Sequence, residues 1–319
     1  MGDGEEETAE RRPPAHKRDS RPPTPDPRPH RWTWVRSLSK PHYIFRPSQL
    51  ARRLRTRDTR RLRTRNMVRT PWCEMRVSED VIGQGIARMG VHELAVSETI
   101  WRLSEPDDLA VDVGANVGYF TGLLAQRVGG VIALEPNPLL WPIIAENVER
   151  WGMTIRLVPW AASDSTGHAR LHLPASYEQN TGVGTLEECE GVSYEVKTTR
   201  LDDVIAGRRV GILKIDVEGH ELSVLEGAPL HLIRDIIFEE HMPLPSPVSE
   251  KLEEAGFEMR GIEETFLGPS LVSRTPWGWD APTYLASRQM ERAERLISKR
   301  GWRCLRPTQR SLRTGTNRD

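Results

Sequence analysis

Four short apolar runs constrain this chain more than any other feature: "DLAVDVG", "GVIALEP", "VGILKIDVEG" and "IRDIIFEEH". Each is too short for a stable helix and has the near-continuous Val/Ile/Leu texture of a strand covered on both faces. Between them lie segments with helical spacing: "YFTGLLAQRV", "NPLLWPIIAENVERWG" ending at Gly152, and "HELSVLEGA". Strands alternating with helices imply parallel strands joined by right-handed crossovers, with helices on both faces of one sheet. "TIRLVPWAAS" adds a third strand. The spacing in "SEDVIGQGIARMGVHELAVSETIWRLSE" predicts one or two helices ahead of the first strand. Two stretches alternate in period two, "GHARLHLPAS" and "VSYEVKTTRLDDVI", and read as an antiparallel excursion. "FEMRGIEE" and "PTYLASRQ" read as an antiparallel edge pair. The fold class is α/β, a doubly wound and mostly parallel sheet with an antiparallel edge hairpin.

These elements delimit a domain over 75–288. Residues 1–74 form a basic, Pro/Arg-rich extension with too little apolar surface to offset the entropy of ordering, and 289–319 read as a basic tail. The formal net charge of zero conceals this division. Residues 1–70 carry 19 Lys/Arg against 8 Asp/Glu, residues 288–319 carry 10 against 3, and the middle is left with 16 against 34. Basic ends suit solvated tails, and also contact with nucleic acid, an anionic surface or the acidic body itself. Cys73, Cys189 and Cys304 are scattered and unpaired in sequence, which fits a reducing compartment rather than a disulfide framework or zinc site. "MGDGEEETAERRPP" lacks the apolar core of a secretory signal, and no run approaches the roughly 18 apolar residues of a spanning helix. The expectation is a cytoplasmic protein.

In a doubly wound sheet, ligands bind beyond the carboxyl ends of the strands. Three such corners carry unusual residues. In "DVGANVGYFTG", Gly114 and Gly118 permit close backbone approach, and Asp112 precedes the turn. A dinucleotide site would have G-x-G-x-x-G here; this chain has Asn116 and Tyr119 at the later glycine positions, and a carboxylate that would repel a pyrophosphate. The second corner, "ALEPNP", ends a strand with Glu135, 23 positions after Asp112. An acid at that distance is placed to accept both hydroxyls of a ribose. In the third, "ILKIDVEGHE", Lys214 and Asp216 share one face of an apolar strand, where a charge is costly unless it is paired or working. Asp216, Glu218 and Glu221 resemble an oxygen-ligand cluster for a hard metal, but the dipole of a helix start attracts acids in any case, and no metal is assigned.

Together, "VDVGANVGYFTGLLAQ", "ALEPNP", "VPWAASDSTG", "TTRLDDVI" and "LKIDVEGHELSVLEGA" resemble the FkbM-like methyltransferases, within the class I S-adenosylmethionine-dependent enzymes. The resemblance covers about residues 105–242. It implies a Rossmann-like seven-stranded sheet, S-adenosylmethionine as methyl donor, and O-methylation of a hydroxyl. Carried onto this sequence, the corner holding Asp112, Gly114, Asn116, Gly118, Tyr119 and Thr121 would hold the methionine part of the cofactor. Glu135 would take the ribose, and Trp160 to Asp164, with Ala161, would flank the adenine. Asn180 and Thr181 would reach over the cofactor, and Asp216 would sit beside the methyl group. Methyl transfer from sulfur to oxygen is an in-line displacement that needs alignment and a base for the hydroxyl proton. Asp216, Glu218 and His241 fall at strand ends and are the catalytic candidates; His220 is a weaker one. The expected acceptor is a small molecule or sugar. RNA brought in by the basic ends, or a non-catalytic cofactor-binding scaffold, is the alternative. Trp277 and Trp279 suit either acceptor stacking or core filling. Oligomeric state has no signature.

Overall fold

The computed structural model describes residues 67–273 and 282–306. Trp277 and Trp279, and the sequences 1–66 and 307–319, lie outside the described residues. The chain opens with a small hairpin, β1 (Met67–Arg69) and β2 (Glu74–Arg76), followed by helices α1 (Val81–Met89) and α2 (Leu94–Leu103). The alternating core follows: β3 (Leu109–Val113), α3 (Tyr119–Ala125), β4 (Gly130–Leu134), α4 (Trp141–Trp151) and β5 (Ile155–Val158). An excursion of β6 (Trp160–Ala162), β7 (Gly167–Pro174) and β8 (Gly191–Thr199) comes next. The chain returns through α5 (Leu201–Ile205), β9 (Val210–Ile215), α6 (Glu221–Glu226) and β10 (Ile233–Glu239). It closes with α7 (Pro247–Glu254), β11 (Glu258–Thr265), β12 (Gly268–Val272), β13 (Thr283–Ser287) and α8 (Met290–Ile297).

The main sheet has the order β12-β11-β13-β10-β9-β3-β4-β5. The five strands β10 to β5 are parallel, and β13, β11 and β12 pair antiparallel at one edge. The sheet therefore has eight strands where seven were expected, because "GPSLV" folds back on β11 and adds one beyond the edge pair. The single strand expected over "TIRLVPWAAS" is two. Pro159 has no N–H to give the ladder, and after it Trp160–Ala162 leave β5 and pair parallel with β8 in a separate three-stranded sheet, β6-β8-β7.

Alternation along the strands divides the core in two. Ala110, Val131, Ile212 and Ile237 face α2, α3 and α8, whereas Val111, Val113, Ile132, Leu213 and Phe238 face α5, α6 and α7. The same parity puts Asp112 and its register partner Lys214 on the α3 side; Ile237 pairs with Lys214, and Glu239 follows two residues on. A polar cluster thus forms on one face at the carboxyl ends of three adjacent strands.

The packed body reaches beyond 75–288 at both ends. Val68 and Trp72 join the core, and so do Met290, Ala293, Ile297, Trp302, Cys304 and Leu305 from the region expected to be a tail. The buried Arg102–Glu98 pair (2.6 Å) fastens this last segment. Arg102 donates to the carbonyls of Ile297 (2.7 Å), Lys299 and Gly301, and Glu98 accepts the Cys304 N–H at 2.7 Å.

Candidate active site

The strand order runs from β3 toward β4 and β5 on one side and restarts at β9 on the other, so the switch point lies between β3 and β9. A cavity of about 770 Å³ opens there, bordered by Val113, Gly114 and Leu134 at the strand ends and by Asp216 beyond β9. Its floor is built by backbone constraints. Gly114 has φ +77°, and a Cβ on it would stand 1.8 Å from the Asp216 carbonyl oxygen, so only glycine lets the two loops cross. Asn116 also takes a left-handed φ of 51°, with its side-chain oxygen accepting the Val117 N–H at 2.7 Å.

Glu135 lies at the end of β4 against this floor. Its carboxylate accepts the Asn116 N–H (2.7 Å) and the Asn137 N–H (2.8 Å), which fixes its position. Burial outweighs those two amides and pushes its pKa up to about 7. Asn137, Leu140, Trp160 and Ala161 continue this end of the cavity. Asn137 donates to the Tyr177 hydroxyl at 2.7 Å.

A strap forms part of the wall: Asn180, Thr181, Gly182 and Val183 line the cavity, with the Thr181 hydroxyl 3.5 Å from the Asn116 side chain. Asp80 holds the strap: it caps α1 through the Gly83 N–H (2.8 Å) and accepts both the N–H and hydroxyl of Thr181 at 2.7 Å. Burial would raise the Asp80 pKa, but hydrogen bonds from Ser78, Gly83 and Thr181 hold it below the usual carboxylate value.

The opposite end is polar. Lys214 bonds Asp216 at 2.8 Å and lies 4.5 Å over the Phe120 ring. Burial disfavours its charge, but Asp216 and Asp112 together raise its pKa above the ordinary lysine value. Glu218, in a left-handed backbone (φ 50°), is raised by burial and by Asp216. Burial, Asp216 and Glu93 push Glu239 up to about 8. His241 Nε2 is within ion-pair range of Glu221 (3.5 Å) and Glu239 (3.9 Å) but makes no hydrogen bond. His220 bonds Ser163 at 3.0 Å, and burial lowers its pKa. Among the described residues, no group of three His, Cys, Asp or Glu is arranged to hold a metal ion.

The structure brings Gly114, Asn116, Tyr119, Glu135, Ala161, Asn180, Thr181, Asp216, Glu218 and His241 onto the cavity wall. It does not bring Asp112, Gly118 or Thr121 there. Asp112 is completely buried beneath the floor, where one oxygen accepts the Thr121 hydroxyl (2.6 Å) and the other has no hydrogen-bond partner. Gly118 instead clears space for α4: a Cβ there would press on Ile144 and Trp151 at 3.2–3.3 Å. Asp164, at the end of the expected adenine segment, is exposed and off the wall. Two wall residues, His92 and Glu93, come from the turn before α2, where no motif marked them.

Fold and cavity together define a Rossmann-like α/β domain with a ligand-sized cavity at its switch point. Residues 112–259 match the Methyltransferase FkbM domain, and this region belongs to the FkbM-like methyltransferase family. The chain is 32% identical over 158 residues to the hexuronic acid methyltransferase AglP of Haloferax volcanii, covering 48% of this chain and 64% of that protein. It is 31% identical over 172 residues to the 31-O-demethyl-FK506 methyltransferase FkbM of Streptomyces tacrolimicus, covering 43% and 66%. The matches thus span just under two thirds of each relative's length. The crystal structure of Methyltransferase FkbM from Methylobacillus flagellatus KT is similar at 18% identity and a TM-score of 0.39, covering 56% of this chain and 43% of that one. Among the described residues no helix is long and apolar enough to cross a membrane.

Proposed function

We propose that the domain transfers a methyl group from S-adenosylmethionine to a hydroxyl oxygen of a sugar or other small molecule. The observation that carries this reading is Glu135: a carboxylate at the end of the second parallel strand, held by two backbone amides in a cavity at the switch point. Such an acid accepts the two hydroxyls of a ribose. Trp160, Ala161 and Leu140 would flank the base, and Gly114 and Asn116 would lie along the amino-acid portion. The relatives' names, a hexuronic acid methyltransferase and a 31-O-demethyl-FK506 methyltransferase, support a sugar or small-molecule acceptor.

The bound cofactor supplies an electrophilic methyl group on a sulfonium. The chain's own residues hold the reactants in line, which is the larger part of catalysis for a displacement. Asp216 and Glu218 give that end the negative potential that suits a sulfonium, and Asp80 fixes the Thr181 strap in place through two hydrogen bonds. The same acidity speaks against an RNA acceptor. Glu93, Glu135, Asp216, Glu218 and Glu239 line the cavity, and its sole Lys or Arg among the described residues, Lys214, is committed to Asp216. Cys73, Cys189 and Cys304 form no disulfide among the described residues, which supports action in a reducing compartment such as the cytoplasm.

Thermal unfolding with S-adenosylhomocysteine or NAD is the first test. A ligand bound only by the native state at about 100 times its Kd adds about 2.7 kcal/mol, so a rise with S-adenosylhomocysteine alone is expected. A rise with NAD alone would refute the cofactor assignment. Labelled methyl transfer across sugars and hydroxylated small molecules then identifies the acceptor; cofactor binding with no transfer to any of them would favour a binding scaffold.

A further inference from the structure

His92 and Glu93 lie upstream of the 112–259 region that the family match covers, and the fold fixes them with unusual care. The His92 N–H donates to the Tyr119 hydroxyl (2.8 Å), and its carbonyl accepts from Ser97 (2.8 Å) and Tyr119 (3.0 Å). Tyr119 and Ser97 are both buried, so two hydroxyls inside the core are given over to one turn. The imidazole stands edge-on to Tyr119, with ring centroids 5.7 Å apart at 89°. Glu93 takes a left-handed φ of 41°, a strained conformation for a non-glycine residue that persists only where its surroundings enforce it. The result is a His92 Nε2–Glu93 Oε1 contact of 2.9 Å at the cavity wall.

We propose that His92 is the base that takes the proton from the acceptor hydroxyl, with Glu93 and Tyr119 as its positioning residues; this rests on the methyl-transfer reading above. The Glu93 contact places the imidazole hydrogen on Nε2 and leaves the Nδ1 lone pair as acceptor. Nδ1 has no hydrogen-bond partner among the described residues. Of the other groups at this end, Asp216 is bonded to Lys214, and His241 Nε2 stands within ion-pair range of Glu221 and Glu239. In the step, the hydroxyl oxygen forms a bond to the methyl carbon as the carbon–sulfur bond breaks and its electron pair stays on sulfur. The O–H proton passes to Nδ1, and Glu93 stabilises the imidazolium. The products are a methyl ether and neutral S-adenosylhomocysteine.

The charged groups facing His92 are Glu93 from its own turn and Asp216 and Lys214 from the end of β9. Burial pulls its pKa down, but bonded Glu93 outweighs this and holds it above the ordinary histidine value. Proton NMR titration of the imidazole C–H signals tests the placement, with His92 assigned by its loss in His92→Gln. Glu93→Gln is expected to lower the His92 pKa; an unchanged titration would refute the pairing. A cation within about 6 Å shifts a neighbouring pKa by about one unit or more. The His92 pKa is therefore expected to be about one unit lower with sinefungin, whose amine carries a charge where the methyl sulfonium would be, than with neutral S-adenosylhomocysteine. Equal values in the two complexes would overturn the proposal. Failure of both ligands to bind wild type would instead sink the cofactor reading. With the acceptor from the transfer screen, His92→Gln should keep S-adenosylhomocysteine affinity within about twofold and lose about 100- to 10,000-fold in rate. A loss of that size in Glu239→Gln with His92→Gln active would move the role to Glu239.

Discussion

Glu135 gives the sharpest quantitative test, because its buried carboxylate should bind ribose hydroxyls only when ionised. Its pKa of about 7 lies well above the ordinary 4.5. At about 1.36 kcal/mol per unit, ionising it in the empty fold costs about 3 kcal/mol. The native state holds this proton where the unfolded chain has released it, so this group lowers stability as pH rises from about 4.5 to 7. Hydroxyl donors favour the charged form, so binding must expel the proton. A group with pKa about 7 releases about 0.9 proton at pH 6 and about 0.1 at pH 8 on full ionisation. Calorimetry of S-adenosylhomocysteine binding in buffers of different ionisation enthalpy reads that number directly. Affinity should climb about tenfold per pH unit below 7 and level off above it. Glu135→Gln removes the charge, so it should show no such proton release and lose about 1.5–3 kcal/mol, the worth of one charge-assisted hydrogen bond. Release that persists in Glu135→Gln, or wild-type affinity flat between pH 6 and 8, would refute the reasoning.

Arg102→Ala leaves Glu98 buried without its partner and should cost about 3–5 kcal/mol, read as a lower midpoint in urea unfolding. Arg102→Lys should recover little of it, since an ammonium cannot span the carbonyls of Ile297, Lys299 and Gly301 as a guanidinium fork does. Gly114→Ala sets a Cβ against the Asp216 carbonyl in a left-handed backbone, so a large fall in melting temperature is expected by circular dichroism. Asp80→Ala removes the α1 cap and both Thr181 bonds. It should cost about 1–3 kcal/mol in denaturant and speed proteolysis within 175–187.

The parallel half of the sheet was legible because buried strands carry their own signal: β3, β4, β9 and β10 are apolar runs between helical segments. The place of Glu135 at a strand end on the cavity wall was legible from its distance to Asp112. Asp112 itself misled, since it ends an apolar run beside a glycine turn just as a ligand-binding acid would. What sends it beneath the floor is strand parity and the descent of α3 over that face, and both depend on packing. The C-terminal helix was hidden by composition: Met290, Ala293 and Ile297 recur at helical spacing, but Glu291, Arg292, Glu294 and Arg295 between them made the stretch read as a tail. His92 and Glu93 left no trace in the sequence, because what marks them is Tyr119 and Ser97 holding their turn from across the core. β12 was missed because "GPSLV" has strand character only beside β11.

The departure of the chain at Pro159 has a consequence for how this architecture can diversify. Trp160 and Ala161 belong to the small sheet but stand on the cavity wall, and the segment joining β7 to β8 supplies the strap with Asn180 and Thr181. One side of the cavity is therefore carried by a ribbon that shares no backbone ladder with the eight-stranded sheet. Lengthening or rewriting residues 175–190 would reshape the chamber without disturbing a single pairing among β3, β4, β9 and β10. If the proposed transfer is what this cavity performs, acceptor preference is open to change on that ribbon while the half of the cavity that holds Glu135 stays as it is.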